Sequence, residues 1–206
     1  MSSNFYHYPV WVRLWHATNG ILCLFLIVTG FSMLYSNPEN ALVVTFQRAV
    51  AIHNTCGVLL TISYTVFFAG NLFTANGRHY LIKLKGLGKR LFQQGYFYAY
   101  GYFRGEKAPF PVDRDRKFNP LQQVSYVGVM YMILPMLFVT GWALMFPEFI
   151  LKRFLGVSGI FLTDQFHVIL GFLTVIFLFI HLYVSTMGKS PVSNFRSIVT
   201  GWQESH

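Results

Sequence analysis

Four histidines lie within or at the edges of long apolar segments of this 206-residue chain: His16, His53, His167 and His181. Ionisable side chains are rare in such segments because burying them is costly, so each is a candidate functional residue. His167 and His181 are 14 residues apart, which on an α-helix falls about 40° short of four turns. The two imidazoles therefore share one helix face and stand about 21 Å apart along its axis.

The other two histidines lie at matching depths. His16 opens the first apolar segment on the side of His181, and His53 begins the second on the side of His167. Imidazole is a good ligand for iron, and a porphyrin plane fits the interior of an apolar helix bundle. Two pairs at two depths predict two six-coordinate iron sites, which favour electron transfer because no coordination position stays open. The alternative for any one of these histidines is an interhelical hydrogen bond.

Small residues occur four positions after each of these histidines: Gly20, Gly57, Gly171 and Ser185. Positions i and i+4 share a helix face, so a porphyrin held by the histidine would pass over a neighbour without a bulky side chain. Gly30, 14 residues after His16, should face the other iron site for the same reason. The alternative is that these small residues let helices pack closely.

Four charge-free windows predict the helices that position the histidines. The expected membrane spans are approximately 15–36, 48–73, 120–146 and 163–187, joined by a loop at 74–119. Each supplies the roughly 20 apolar residues that a spanning helix needs, and only helices satisfy the backbone of such segments in lipid. The expected fold is all-α: residues 1–206 form one integral membrane four-helix bundle that binds two b-type haems. Pro135 predicts a kink in the third span.

The composition agrees with a membrane protein. Hydrophobic residues make up 54% of the chain and charged residues 11%, against about 25% charged residues in soluble domains. The net charge of +9 does not indicate a nucleic-acid protein, because the basic residues lie between apolar blocks rather than on one solvated face. Cys23 and Cys56 lie inside apolar segments and form no CxxCH motif, so a covalently attached c-type haem is not expected.

The distribution of Lys and Arg predicts the orientation. Thirteen fall in the two terminal segments and the 74–119 loop, and three fall on the opposite side: Arg48, Lys152 and Arg153. The positive-inside rule therefore places both termini and the long loop in the cytoplasm. Arg13 precedes His16 by three residues. It is expected either to pair with haem propionates or to anchor the helix to lipid phosphates, and the sequence leaves both roles open.

Four segments of the chain resemble a known family: VWVRLWHATNGILCLFLIVTGF, AIHNTCGVLL, KFNPLQQVSY and FHVILGFLTVIFLFIHLYV. They are similar to the di-haem cytochrome b subunits of bacterial membrane oxidoreductases, of the formate dehydrogenase gamma, nickel-iron hydrogenase and thiosulfate reductase types. The resemblance covers nearly the whole chain and is weakest at 80–117. It implies two non-covalent haem b groups, held by His16 with His181 and by His53 with His167.

The resemblance also implies a quinone site, for menaquinone or ubiquinone, at the start of the third helix. Asn119 and Gln122 match the family's Asn and Gln there, and Leu121 stands where formate dehydrogenase subunits tend to have Gly. Amide side chains can hydrogen-bond a quinone carbonyl. Asn119 followed by Pro120 also fits a helix N-cap followed by a first-turn proline, and the two roles are compatible.

The expected function is transmembrane electron transfer in the bacterial inner membrane. Electrons would pass between the quinone pool and a periplasmic redox subunit, which would be an iron–sulfur protein, a multihaem cytochrome or a catalytic subunit. No flavin or nucleotide motif is present, so substrate chemistry is expected on another chain. One alternative is a stand-alone quinone-linked oxidoreductase that acts on a small oxidant such as superoxide or ferric ion. Another is a haem-free membrane anchor or transporter.

Overall fold

The computed structural model describes residues 4–37, 40–111, 116–188 and 190–204. Arg114 and Lys189, which contribute to the charge distribution above, lie outside these ranges. The α-helices are α1 Val10–Tyr35, α2 Phe46–Phe73, α3 Leu87–Tyr96, α4 Pro120–Gly128, α5 Leu134–Met145, α6 Gly159–Ser185 and α7 Ser193–Thr200. The strands are β1 Asn4–Tyr6, β2 Arg153–Phe154, β3 Val157–Ser158 and β4 Trp202–Glu204.

Four helical stretches among the described residues are long and apolar enough to cross a membrane: Val10–Tyr35, Phe46–Phe73, Pro120–Met145 and Gly159–Ser185. The predicted all-α membrane fold is therefore confirmed. The first and last of these helices begin before the expected positions 15 and 163. Arg13 and Asp164 mark the edges of the apolar windows, but the helices continue through them because a charge near a helix end does not interrupt backbone hydrogen bonding.

The third stretch is irregular just before its proline. Residues Val129–Ile133 form a π-helical turn between α4 and α5, and Pro135 lies in the first turn of α5. Proline has no N–H group, and its ring clashes with the carbonyl four residues earlier in a regular helix. The π-helical turn accommodates this mismatch, and the kink expected at Pro135 stays a prediction.

The chain divides into two compact units. The bundle unit comprises Trp15–Phe68 and Met130–Ile176, and the terminal unit comprises Met1–Leu14, Ala69–Val129 and Phe177–His206. Within the bundle unit, aromatic and polar contacts join α1, α2, α5 and α6. These contacts are Trp15 stacked on Phe67 at 4.1 Å, Asn19 Nδ2 to Ser63 Oγ at 2.8 Å, Tyr64 near Phe138 at 5.1 Å and Phe31 near Phe172 at 5.6 Å.

Polar contacts link several segments of the terminal unit. Strands β1 and β4 pair antiparallel, and Gln123 Nε2 donates to the carbonyls of His79 and Leu81 at 2.8 and 3.0 Å. The Tyr102 hydroxyl donates to the Gly188 carbonyl at 3.3 Å. These bonds tie the start of α4 to the preceding loop, and the segment after α3 to the segment after α6.

Strands β2 and β3 form a hairpin immediately before α6. Its two connecting residues, Leu155 and Gly156, have φ values of 49° and 83°. A two-residue turn with positive φ at both positions has the twist that suits a hairpin. Leu155 is 88% exposed, so no burial offsets the cost of holding its backbone in the left-handed region.

Replacing Leu155 with Asn is expected to stabilise the protein. A left-handed conformation costs an ordinary L-residue about 1–2 kcal/mol, and Asn tolerates it better. We expect a rise of about 0.5–1 kcal/mol in the free energy of unfolding, measured by thermal denaturation in detergent. Leu151→Asn is the control, because Leu151 is 70% exposed and lies outside the turn. Equal effects of the two substitutions would show that backbone strain is not the cause.

Candidate functional site

The imidazoles of His53 and His167 face each other inside the bundle unit. His53 lies on α2 and His167 on α6, and both side chains are half-buried. Their ring centroids are 6.2 Å apart, with 69° between the ring planes. Metal–imidazole bonds are about 2.0 Å long, and a ring nitrogen lies about 1.1 Å from its centroid, so two rings on opposite sides of one metal have centroids about 6 Å apart. At this separation the two rings would be able to hold one metal between them.

Two ligands suit a haem better than a bare metal ion. Among the residues that the structure describes, no group of three or more His, Cys, Asp or Glu side chains could hold a metal ion. Structural metal ions usually take four protein ligands. A haem iron needs only axial ligands from the protein, because the porphyrin supplies the remaining four. The donor set at His53 and His167 thus fits a haem.

Each imidazole is hydrogen-bonded to a threonine of a third or fourth helix. Thr29 Oγ1 on α1 lies 2.9 Å from His53 Nδ1. Thr140 Oγ1 on α5 lies 2.8 Å from His167 Nδ1. Both threonines are buried, with exposed fractions of 2% and 8%. All four helices of the bundle unit therefore contribute a side chain to this site.

A glycine follows each threonine and lies against the same imidazole. A Cβ atom at Gly30 would lie 3.6 Å from His53 Cε1, and one at Gly141 would lie 3.3 Å from His167 Cε1. The second distance is shorter than an ordinary van der Waals contact. A larger residue at 141 would displace the His167 ring.

The glycines four positions after the histidines do not pack against other helices. A Cβ atom at Gly20, Gly57 or Gly171 would have no atom of a neighbouring element within 4 Å. Close helix packing therefore does not explain these three residues. Gly70 shows the contrast, because a Cβ there would approach the Trp11 ring to 3.0 Å. The space beside the first three is consistent with the predicted passage of a flat prosthetic group.

His16 and His181 belong to different compact units, so their pairing stays a prediction. His16 lies half-buried on α1, next to Trp15, which donates from Nε1 to the Ser63 carbonyl at 3.2 Å. His181 lies half-buried on α6, and its ring stacks on Phe177 with a centroid separation of 5.7 Å. The structure thus describes the surroundings of His16 and of His181 each within its own unit.

The Tyr126 hydroxyl lies 3.4 Å from His181 Nδ1. This contact is longer than the two threonine contacts at His53 and His167. Tyr126 comes from α4, and its ring also lies against Phe118 at 4.9 Å. His181 therefore has a hydroxyl neighbour, but this contact is weaker than the threonine contacts of His53 and His167.

Asn119 and Gln122 form a helix cap. Asn119 Oδ1 accepts from the Gln122 backbone N–H at 3.0 Å, and Gln122 Oε1 accepts from the Asn119 N–H at 3.2 Å. Pro120 occupies the first turn of α4. This reciprocal capping box confirms the predicted cap. Asn119 is 4% exposed and also donates from Nδ2 to the Tyr98 hydroxyl at 2.6 Å.

The terminal unit contains two cationic side chains that are partly or fully buried. Arg13 donates from Nη2 to the carbonyl of Val199 near the C-terminal end of α7, where a cation is favourable. Its Nε atom is buried and has no hydrogen-bond partner among the described residues. Lys117 donates to Asn76 Oδ1 at 3.0 Å and lies over the Tyr8 ring. Burial lowers the pKa of Lys117 to about 8.

Four residues near the histidines were not predicted from the sequence: Thr29, Thr140, Gly141 and Tyr126. One signal could have revealed the first three. The motif Val-Thr-Gly-aromatic occurs twice, at 28–31 in α1 and at 139–142 in α5. Both copies lie in charge-free windows of the sequence, and each threonine contacts a histidine on another helix.

Comparisons with known proteins identify a family that the chain resembles over nearly its whole length. The model of a family described as prokaryotic cytochrome b561 matches residues 7–201. The chain is 39% identical over 201 residues to a protein of Escherichia coli (strain K12) named "Putative cytochrome YdhU", covering 96% of this chain and 74% of that protein. No solved structure matches the chain.

Replacing Asn119 with Ala is expected to lower stability, because the first turn of α4 loses its cap. Loss of an N-cap typically costs about 0.5–2 kcal/mol, and thermal unfolding in detergent would measure it. Asn119→Ser is the control, since its uncharged hydroxyl oxygen can accept the Gln122 N–H while the amide that donates to Tyr98 is absent. Equal destabilisation by Ala and Ser would mean that the Tyr98 contact, rather than the cap, carries the effect.

Proposed function

This chain belongs to the prokaryotic cytochrome b561 family, and we propose that it carries electrons across the bacterial inner membrane through two bis-histidine b haems. Family membership makes it a membrane cytochrome b, which implies b-type haem binding and speaks against the haem-free alternative. The observation that carries the two-ligand arrangement is the His53–His167 pair, whose centroids are 6.2 Å apart. These two residues are the proposed axial ligands of the first haem.

The second haem is proposed to bind His16 and His181. The support is the spacing along α6, which runs without interruption from Gly159 to Ser185. Both of its histidines are therefore on one helix, about 21 Å apart along the axis. The positive-inside rule assigns the His16 and His181 end to the cytoplasm, together with both termini. Arg13 would pair with the haem propionates there, because its buried Nε atom has no hydrogen-bond partner in the part of the chain that the structure describes.

A quinone is the proposed electron-exchange partner at the cytoplasmic haem, near the start of α4. A quinol that gives up two electrons releases two protons and becomes a quinone, so the site must lie near water as well as lipid. Asn119 and Gln122 are the proposed contacts. An amide has two N–H donors, and Asn119 uses one of them for Tyr98. Its second donor is compatible with a quinone carbonyl.

The partner at the opposite haem is proposed to be a periplasmic redox subunit. The segments between helices on that side are short, at 36–45 and 146–158, and offer a docking surface rather than a domain. Moving an electron across the bilayer is coupled to the membrane potential by about 2.3 kcal/mol per 100 mV. Inward flow with protons taken from the cytoplasm would build the potential, and outward flow from quinol would dissipate it.

A stand-alone oxidoreductase is the second candidate function. Lys152 and Arg153 are exposed at the hairpin before α6, where they could attract a small anionic oxidant such as superoxide. Co-purification from native membranes distinguishes the two functions. A stoichiometric redox subunit supports the first function. An isolated cytochrome that oxidises quinol with superoxide or ferric ion supports the second.

Alanine substitutions of the proposed ligands test the haem assignment. The unaltered protein should contain two haems per chain, measured by the pyridine haemochrome assay. His53→Ala and His167→Ala should each leave one haem, and His16→Ala and His181→Ala should each leave the other. His79→Ala is the control, because His79 lies outside the spans, and it should retain both. Two haems in any of the ligand variants would contradict the assignment.

The same variants test which of the two haems exchanges electrons with quinone. A short-chain quinol should reduce both haems of the unaltered protein. In His181→Ala the remaining haem should be reduced by dithionite but not by quinol. In His167→Ala the remaining haem should still be reduced by quinol. Rapid quinol reduction in His181→Ala would place the quinone site at the other haem.

Gly57→Leu tests whether the prosthetic group passes over this position. Little protein packs against Gly57, so the variant should fold, while its side chain would block the group held by His53. We expect the haem content to fall from two to one. Gly95→Leu is the control, since Gly95 is equally uncrowded and lies on α3 outside the spans. Normal haem content in Gly57→Leu would disprove the steric argument.

A further inference from the structure

Thr29 and Thr140 hold the two facing imidazoles in the same way. Each hydroxyl oxygen lies within 2.9 Å of an Nδ1 atom, in one case on His53 and in the other on His167. The two threonines come from different helices, α1 and α5, and the two histidines come from α2 and α6. The same geometry therefore arises twice, independently, within the bundle unit.

The hydrogen-bond direction follows from the single proton that each hydroxyl carries. Thr29 Oγ1 lies 2.6 Å from the Phe25 carbonyl, and Thr140 Oγ1 lies 2.8 Å from the Met136 carbonyl. A carbonyl can only accept, so both hydroxyl protons point to the backbone of their own helices. Each threonine oxygen can then only accept from the imidazole. This arrangement favours the Nδ1–H tautomer of both rings, which leaves the Nε2 lone pair free.

We infer that Thr29 and Thr140 are positioning residues, which fix His53 and His167 in the Nδ1–H tautomer and aim both Nε2 atoms at one haem iron. This inference rests on the proposed function and deepens it. A ring nitrogen that donates a hydrogen bond orients the ligand and makes its other nitrogen more basic. A more basic axial ligand stabilises ferric over ferrous iron, so the threonines also lower the reduction potential of this haem.

The glycine after each threonine also helps to position the imidazole ring. Cε1 lies between the two ring nitrogens, and the Cβ positions of Gly30 and Gly141 are 3.6 and 3.3 Å from it. A Cβ at 141 would already crowd the His167 ring, whereas one at 30 would just touch the His53 ring, so there a side chain larger than Ala would be needed to push the ring away from the threonine. The Thr-Gly pair thus supplies an acceptor for Nδ1–H and clearance for the adjacent ring edge.

Isosteric substitution tests the inference. Thr29→Val and Thr140→Val keep the shape of the side chain and remove the acceptor. Haem retention at this site should fall about tenfold, as is common when an outer-shell partner of a metal ligand is lost. The midpoint potential of this haem should move to more positive values, and the low-spin ferric EPR signal should change. The haem assigned to His16 and His181 should be unaffected, and Thr→Ser at either position should restore the original values.

Thr65→Val is the matched control. Thr65 bonds the Thr61 carbonyl at 2.9 Å in the same i to i−4 manner, at an exposed position of the helix that carries His53. It should leave both haems unchanged. If Thr29→Val and Thr140→Val match Thr65→Val in haem retention, potential and EPR signal, the positioning role is overturned. If the unaltered protein binds no haem, the proposed function itself fails, which is a distinguishable outcome.

If the valine variants do not fold, a measurement on the unaltered protein tests the inference instead. Pulsed EPR of the ferric protein in H₂O and D₂O reports the exchangeable ring N–H proton of each axial imidazole. Both ligands of the haem that is lost in His167→Ala should keep a proton that exchanges slowly. Rapid exchange of either proton, or coordination through Nδ1, would overturn the inference.

Discussion

The separation of 6.2 Å between the His53 and His167 rings is the constraint on which the bundle unit depends. Two imidazoles can share one metal only if the helices that carry them stay at this spacing. The contacts of α1 and α5 maintain it, because each of these helices supplies a buried threonine to one histidine. The aromatic contacts of Trp15 with Phe67 and of Phe31 with Phe172 hold the same helices together at two further levels. A packed bundle, rather than any single helix, creates the site.

The sequence predicted the parts of this site that depend on helical periodicity. The matching depths of His53 and His167, and the position of Gly30, follow from 3.6 residues per turn and from the limits of the apolar windows. Thr29 and Thr140 could not be found in this way. Their role depends on which helices are neighbours and on the rotamers of their hydroxyl groups, and threonine is common in membrane helices, where its hydroxyl usually bonds its own backbone.

At the start of α4, the local sequence was sufficient to predict the helix cap. A cap is formed by residues three positions apart, so Asn119, Pro120 and Gln122 carry the whole signal in their own sequence. The burial of Lys117 at 5% exposure was not predictable. It depends on Asn76 and Tyr8, which are distant in the sequence and converge only in the folded terminal unit. Pro135 is intermediate, because proline predicts an irregular helix but not that the irregularity is a π-helical turn.

The choice of threonine as the partner of each imidazole follows from the cost of polar groups in lipid. A carboxylate would orient the histidine more strongly, but a charged residue at the centre of a span costs about 2.5–3.5 kcal/mol to insert. A neutral threonine avoids that cost, and its only donor is satisfied by its own helix. The hydroxyl oxygen keeps one acceptor position, which is all that an Nδ1–H group requires. A bundle with few charges can therefore fix a histidine tautomer without placing a second ionisable residue in the membrane.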